Sequence, residues 1–593
     1  MSKINIFLDL YYVLLFILKE VRNYFYDFQR IFTVYLKHYN IFKLIIFKIN
    51  KNINPSNNKL FINFTNENKK LWNKNKKTEK KKNKKKILIT SFVRHHAGYP
   101  YINSIIGKYL EEYYNVELIG FCDSHDHTSE IIIRSFGIKK FYYLYEKNFF
   151  IRFFYFLVAL LKIKNFKDVN EFLKLKYNNI DIGRIVYDDV IRRSGIASFN
   201  KISFKLIYHF AEAMNKSNQY KKIFNKIDIM ATIQSEQQFI PSAIVFQQTL
   251  KAKRNVYSRN GHGTRMSIRK YSSFSNRYTP PPDETEKLFN IIYKNCRHLT
   301  SKLGHKLIKE RFTGNWKNYF EIERIGAHGN KKDYSKKEIC KIFNWDVKKP
   351  IIVIFSHSLI DGNFINGSRV FKDNLTWLRE TLFKIKEIDK FNWIIKPHPN
   401  DWYYKVSKTS TEIEYNKIVG KQKHIKIIPK NISSFSLSKI VKAIVTSQGT
   451  VSLEYVCMGV PVVTAGRTPY SYLNINYRAQ TKKKYFYYLN NMGKLNRPNK
   501  IQIDKARTLA YIDEIVIKSK NKLIPNYDTT SKVDENIFYK DCGKLIKNYS
   551  HNSDNFKKMA FNQFKKNSSH SVDLNLIYNE LKFKKNKYDI KKI

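Results

Sequence analysis

The amino-acid sequence predicts an α/β protein built from two parallel-sheet domains, with helical additions at both ends. Three observations carry this expectation. Short apolar strands alternate with helical stretches in two separate series, one from KILITSF to RNVYS and one from IIVIF to PVVTAG, and such alternation yields parallel sheets covered on both faces. A proline cluster, YTPPPD, breaks the periodicity between the two series. The length of 593 residues exceeds what one ordinary hydrophobic core supports.

Taken along the chain, residues 1–65 form an aromatic-rich helical preface and 66–86 a Lys/Asn-rich linker. The first sheet domain, with a helical insertion, is expected over 87–278, an inter-domain bridge over 279–346, and the second sheet domain over 347–475. A helical region and basic tail complete the chain over 476–593. The preface contains INIFLDLYYVLLFILK, too short for the roughly 20 apolar residues of a spanning helix. It reads either as an interfacial helix or as a buried amphipathic one. A second apolar stretch, NFFIRFFYFLVALLKIK, docks beside it on a membrane or packs in the core. The Lys/Asn run is a polybasic lipid tether or a solvated spacer. Asp9, Glu20 and the lack of a small-residue cleavage site argue against a signal peptide.

Hydrophobic residues at 43% and aromatics at 15% place the chain outside the disordered regime. The net charge of +59 admits nucleic acid, anionic lipid, nucleotide phosphates or an acidic polysaccharide as partners, although the Lys/Asn/Ile bias weakens any single inference. No zinc-finger spacing, RNA-recognition motif or basic zipper is present, so specific nucleic-acid binding is not expected. Five scattered cysteines form no CxxC pair, which suggests thiols in a reducing, cytoplasmic compartment.

Strand ends are where the chemistry is expected, because parallel sheets collect ligands beyond their carboxyl edges. In the first series the loop VRHHAGYPY carries His95 and His96, the next strand ends at Asp123, and the loop QSEQQ carries Glu236. A transfer reaction needs a base near the acceptor hydroxyl. Glu236 is the first candidate, with His95, His96 and Asp123 behind it; a solvated loop carboxylate is the bland alternative for Glu236. In the second series IIKPHPND ends a buried strand in Lys396 and in His398 held between prolines, suited to a phosphate leaving group. TSQGTVSLEYVCMGVPVV then offers Ser447, Thr450 and Ser452 hydroxyls, Gly449 for close approach and Glu454 for a ribose, although an ordinary capped turn explains most of it. Ser356 and His357, after the strand IIVIF, are further donor-side candidates.

KPHP followed some fifty residues later by S-x-G-T-x-x-x-E-x-x-x-x-G-x-P resembles the capsule polysaccharide biosynthesis family, related to capsule Kdo transferases. The resemblance covers about 349–472. It implies a GT-B-like pair of Rossmann-type domains facing a cleft and a nucleotide-sugar donor around Lys396, His398, Ser447, Gly449, Thr450 and Glu454. It further implies a glycan or glycolipid acceptor, no cofactor and no metal. The two short apolar segments beside Lys-rich stretches, and not the resemblance, suggest a peripheral position on the cytoplasmic membrane face with an anionic surface as partner. Two departures stand out: Gln448 replaces a small residue, and nothing in the first half marks a base. A CDP-glycerol-type glycerophosphotransferase, a UDP-sugar 2-epimerase and a non-enzymatic polysaccharide- or membrane-binding protein are the competing expectations.

Overall fold

The computed structural model describes residues 3–36, 58–73, 84–93, 96–123, 126–144, 148–261, 263, 265–278, 282–313, 331–367, 369–399, 401, 409–527, 534–551 and 554–569. His95 lies outside them. By its contacts the chain forms two compact units, the first comprising 1–187, 199–254 and 529–549 and the second 188–198, 255–528 and 550–593.

The first unit contains β1 (Lys86–Ser91), β2 (Glu117–Cys122), β3 (Phe141–Tyr143) and β4 (Ile229–Ile233), all parallel, in the order β4-β1-β2-β3. These four are the parallel part of a seven-stranded sheet. The antiparallel part is grouped with the second unit: β5 (Asn255–Asn260) and β6 (Arg265–Tyr271) form a hairpin, and a later two-residue strand pairs with β6. Strand β5 ends at Asn260 and β6 begins at Arg265, so the hairpin turn is short. Gly261, at φ +113°, lets it close: a Cβ there would stand 2.6 Å from the Arg265 carbonyl.

The second unit is built on β7 (Ile351–Phe355), β8 (Asn392–Lys396), β9 (Ile425–Ile427), β10 (Ala443–Thr446), β11 (Val462–Thr464) and β12 (Tyr477–Arg478). All are parallel, in the order β12-β11-β10-β7-β8-β9. The runs IIVIF, AIVT and VVT are buried throughout because helices cover both faces, which is why they read as continuous apolar runs and not as alternation. Buried indoles keep their hydrogen bonds, Trp377 Nε1 to the Tyr485 hydroxyl at 2.9 Å and Trp393 Nε1 to the Ile388 carbonyl at 2.9 Å. The helices Pro282–Thr313 and Lys500–Tyr511 touch backbone to backbone at Gly304, where a Cβ would meet the Arg507 carbonyl at 1.9 Å.

One sequence expectation is corrected here. The Lys/Asn run does not begin as a linker: helix Lys59–Asn73 extends over its first part, 66–73, burying Asn68 and Trp72. Asn68 makes this possible by taking the Trp72 indole N–H at 3.0 Å and donating to the Ser135 hydroxyl at 2.8 Å, so no buried polar group is stranded. Phe61 and Phe64 of the same helix pack on Tyr539, at 4.9 and 5.6 Å between ring centroids. The rest of the run, 74–83, and the tail 570–593 lie outside the described residues.

Candidate functional site

Each parallel sheet reverses its strand order once, in the first unit between β1 and β4 and in the second between β7 and β10. At such a point the loops leaving the two strands diverge and open a crevice at the carboxyl edge.

In the second unit the loop after β7 supplies Ser356 and His357 and the turn after β10 supplies Ser447, on the two sides of that reversal. Strand β8, paired to β7 with Lys396 opposite Phe355, delivers Lys396 and His398 beside them. The backbone N–H of His398 donates to Ser356 Oγ at 2.8 Å, and Thr411 Oγ1 donates to the same oxygen at 3.0 Å. The rings of His357 and His398 stack at 5.8 Å with 20° between planes. Four sequence-named residues are thereby brought together: Ser356, His357, Lys396 and His398.

Arg369 completes the cluster, and the sequence reading missed it. Its segment lies along the exit of β11 through a bridge to Gly466 and the bond from Val370 N to the Ala465 carbonyl, 3.1 Å. From there the guanidinium donates to the Asn363 carbonyl, to Asn374 Oδ1 and, at 3.1 Å, to Ser447 Oγ. With its oxygen on Arg369, the Asn374 amide turns its nitrogen to the Ser358 carbonyl at 2.8 Å and to His357 Nδ1 at 3.2 Å. His357 Nδ1 also lies 3.3 Å from the Ser358 carbonyl, so this nitrogen faces a donor and an acceptor together. Asn363 extends the network, its Oδ1 accepting from Asn374 N at 2.9 Å, while its own N and Nδ2 donate to Asp188 Oδ1 at 3.1 Å each. The one sequence sign of these residues is an Asn-rich loop with a single arginine, DGNFINGSR, after the first strand of the sheet.

The electrostatics follow from burial. Desolvation, with His398 and Arg369 nearby, pushes His357 down to about 3, so its ring is neutral at physiological pH. Burial, with Lys331 adding repulsion, brings Lys396 down to about 7. Burial lowers His398 against the pull of Asp401 and Asp361. It raises Asp188 to about 7 despite the hydrogen bonds from Asn363, and it raises Asp401 despite those from Thr411. The cluster thus contains one fixed cation in Arg369, one ammonium held near its titration point, and neutral imidazoles able to donate.

The SQGT turn is more divided. Ser447 is buried in the network, Gly449 sits where a Cβ would meet Thr446 Oγ1 at 3.0 Å, and Thr450 is exposed. Ser452 is fully buried within helix Val451–Cys457. Glu454 points into the unit, its carboxylate 3.1 Å from Arg311.

In the first unit Glu236, His96 and Asp123 leave the carboxyl ends of β4, β1 and β2, which are neighbours in the sheet. Glu236 Oε1 accepts from the backbone of Gln237 and Gln238 at 2.7 Å each, which fixes its orientation. The buried Asn103 ties this edge together, receiving the Ser235 hydroxyl at 2.6 Å and donating to the Thr90 carbonyl at 2.9 Å. His96 lies edge-on to Tyr99 at 5.7 Å.

No family model matches the chain, and no curated protein is similar to it in sequence. Among solved structures it is similar to the KpsC beta Kdo 2,4 transferase of Thermosulfurimonas dismutans, with 11% identity, 47% of this chain and 79% of that one covered, and a TM-score of 0.30. The beta Kdo 2,7 transferase of the same protein gives 13% identity over 56% and 89%, again at 0.30. The S. aureus MnaA–UDP co-structure gives 12% identity over 77% and 94%, at 0.26. Values this low assign no activity to the chain.

Proposed function

We propose that the protein is a glycosyltransferase of capsule or surface polysaccharide assembly, taking a CMP- or UDP-activated sugar and passing it to a glycan or glycolipid acceptor. The observation that supports this most directly is the Arg369–Asn374–His357 network at the strand-order reversal of the second unit, with Lys396 and His398 alongside. A nucleotide phosphate matches it chemically. The dianion would meet a guanidinium, an ammonium that regains its proton beside negative charge, and imidazole and hydroxyl donors. The sequence resemblance of KPHP and the SQGT turn to capsule enzymes points to the same ligand.

In the reaction the acceptor oxygen forms the new bond to the anomeric carbon as the bond from that carbon to the phosphate oxygen breaks. The electron pair leaves with the nucleotide, where Arg369, Lys396 and the imidazoles stabilise it. The acceptor proton passes to a general base, for which Glu236 is the first candidate, with His95, His96 or Asp123 as substitutes.

Purified protein incubated with CMP-sugars, UDP-sugars and CDP-glycerol, with and without acceptor glycan, tests the reading. Acceptor-dependent release of CMP or UDP supports it. Turnover of CDP-glycerol alone, or epimerisation without acceptor, replaces it with another reaction, and absence of nucleotide binding by calorimetry rejects the site.

A further inference from the structure

We infer that the first unit carries a membrane-docking face in which the outward stripes of helices Lys3–Leu36 and Phe149–Ile163 seat on an anionic lipid surface. The inference is independent of the transferase reading. The two helices meet over a shared aromatic centre: Phe16 stacks on Phe156 at 4.6 Å and lies 5.7 Å from Phe153 and 5.9 Å from Tyr208 of the neighbouring helix Phe204–Lys226. At the same junction Glu20, wholly buried, pairs with Arg152 at 2.6 Å and accepts from the Tyr208 hydroxyl at 2.8 Å.

The polarity of the first helix is inverted relative to an ordinary surface helix. Its inward positions recur every three or four residues as Tyr12, Phe16, Glu20 and Asn23, and they include a carboxylate and an amide held by Arg152 and Tyr208. Its outward positions follow the same spacing on the opposite side as Leu10, Leu14, Ile17, Val21 and Phe25, all exposed. Helical periodicity puts polar groups on the solvent side when water is the neighbour. Here the polar groups are inside and the leucines outside. The second helix is apolar on both sides, burying Phe156, Ala159, Leu160 and Ile163 while Phe150, Phe154 and Leu161 stand 77%, 60% and 61% exposed. Exposed apolar stripes on two packed helices exceed the scattered single residues normal on a monomer surface.

Charge selects the occupant. Arg22, Lys162 and Lys164 are exposed beside the stripes, and no exposed acidic residue lies within 10–25 or 148–164; Lys167 and the exposed Asp168 follow just beyond. An apolar face bordered by cations matches an acyl boundary under anionic headgroups. At 15 residues, Phe149–Ile163 falls short of the roughly 20 needed to span, so it lies in the interface and does not cross it.

Flotation of the full chain with phosphatidylcholine vesicles, with and without phosphatidylglycerol, provides the test. Wild type is expected to float with the anionic vesicles and to be partly released by salt. The double variant Leu14→Glu, Phe154→Glu changes two exposed side chains and should lose at least about tenfold in vesicle partitioning while keeping its thermal midpoint. Lys162→Glu with Lys164→Glu should reduce the preference for phosphatidylglycerol. The inference is overturned if wild type floats with neither vesicle, if the Leu14/Phe154 variant floats equally well, or if wild type sediments without lipid as a dimer that this variant dissolves, since the face would then be a contact between two copies.

Discussion

Glu454 offers the sharpest test of which residues of the SQGT segment serve a ligand and which serve the fold. From the sequence it reads as a ribose acceptor, one helical turn beyond the phosphate turn. In the structure its carboxylate lies 3.1 Å from Arg311 Nη1, with side-chain exposures of 5% and 13%, and Glu514 stands 3.6 Å from the same nitrogen. Removing one partner of a buried ion pair costs about 3 to 5 kcal/mol, because the other charge is left without compensation. Glu514 remains to offset part of that, and Gln keeps the shape and one acceptor. Glu454→Gln should therefore lose about 2 to 3 kcal/mol of stability, a drop in thermal midpoint of roughly 3 to 5 °C for a unit of this size. Nucleotide affinity should change by less than about threefold, since a side chain held by Arg311 contributes little to a ligand. Differential scanning calorimetry and calorimetric titration of CMP and UDP measure both quantities on one sample. Arg311→Met should reproduce the stability loss, and the double variant Arg311→Met, Glu454→Leu should recover much of it. An unchanged midpoint with a loss of about tenfold or more in nucleotide affinity would refute this reasoning and return Glu454 to the ribose.

The remaining predictions concern the polar cluster and the acceptor side. Lys396 carries its charge below about 7 and loses it above, so nucleotide affinity should fall as pH rises through that value, by up to about tenfold per unit, and Lys396→Met should flatten the profile in titrations from pH 6 to 9. The linkage sign for stability is opposite: the folded-state pKa lies below the unfolded one, so the unfolded chain holds more protons between them and Lys396 makes stability rise with pH across that window. Asn374→Ala removes the amide between Arg369 and His357 and should weaken nucleotide binding by about 1 to 3 kcal/mol, while Asn374→Asp, which cannot donate to His357 Nδ1, should shift the pH profile and not merely lower affinity. Glu236→Gln should leave nucleotide affinity within about twofold and lower kcat by about a hundredfold or more if it is the base; normal turnover moves that role to His96 or Asp123.

What was legible in the sequence follows from how far each feature is local. The strands β1, β2, β4, β5, β7, β8, β9, β10 and β11 all lie within runs recognisable from apolar content and flanking turns; most are buried on both faces, which leaves little choice of residue type, while β5 and β9 are only partly buried. Four strands were not read from the sequence: Arg265–Tyr271, which returns along β5 as a hairpin, Phe141–Tyr143 and Tyr477–Arg478, fixed by pairing with neighbours, and the two-residue strand Ser519–Lys520, which pairs with Met266 and Arg265. Helix Lys59–Asn73 was hidden by its composition. A run of Asn and Lys cannot bury itself, and here Phe61, Phe64 and Trp72 do the burying while Asn68 satisfies the indole.

The candidate site divides along the same line, and the division says what kind of residue sequence reasoning can reach. Lys396 and His398 were visible because they end a buried strand, and Ser447 because it ends another; strand exits are punctuated by a change of polarity that any single sequence displays. Arg369 has no such punctuation. It acts at the site because the chain, after leaving β7, returns along β11 and pairs Arg369 with Gly466, a contact set by strand order and not by spacing. The same return lets Asn374, the first residue of helix Asn374–Lys386, face His357 seventeen residues earlier. Strand order also explains why the two loops that matter in each sheet are those after its first and fourth strands in chain order: β7 and β10 flank the reversal in the second unit, β1 and β4 in the first. Once that order is known, Ser356, His357 and Ser447 on one unit and His96 and Glu236 on the other occupy equivalent places. The residues joining them, Arg369 and Asn374 in one and Asn103 in the other, are those whose loss should disturb the geometry of the site before it disturbs the core.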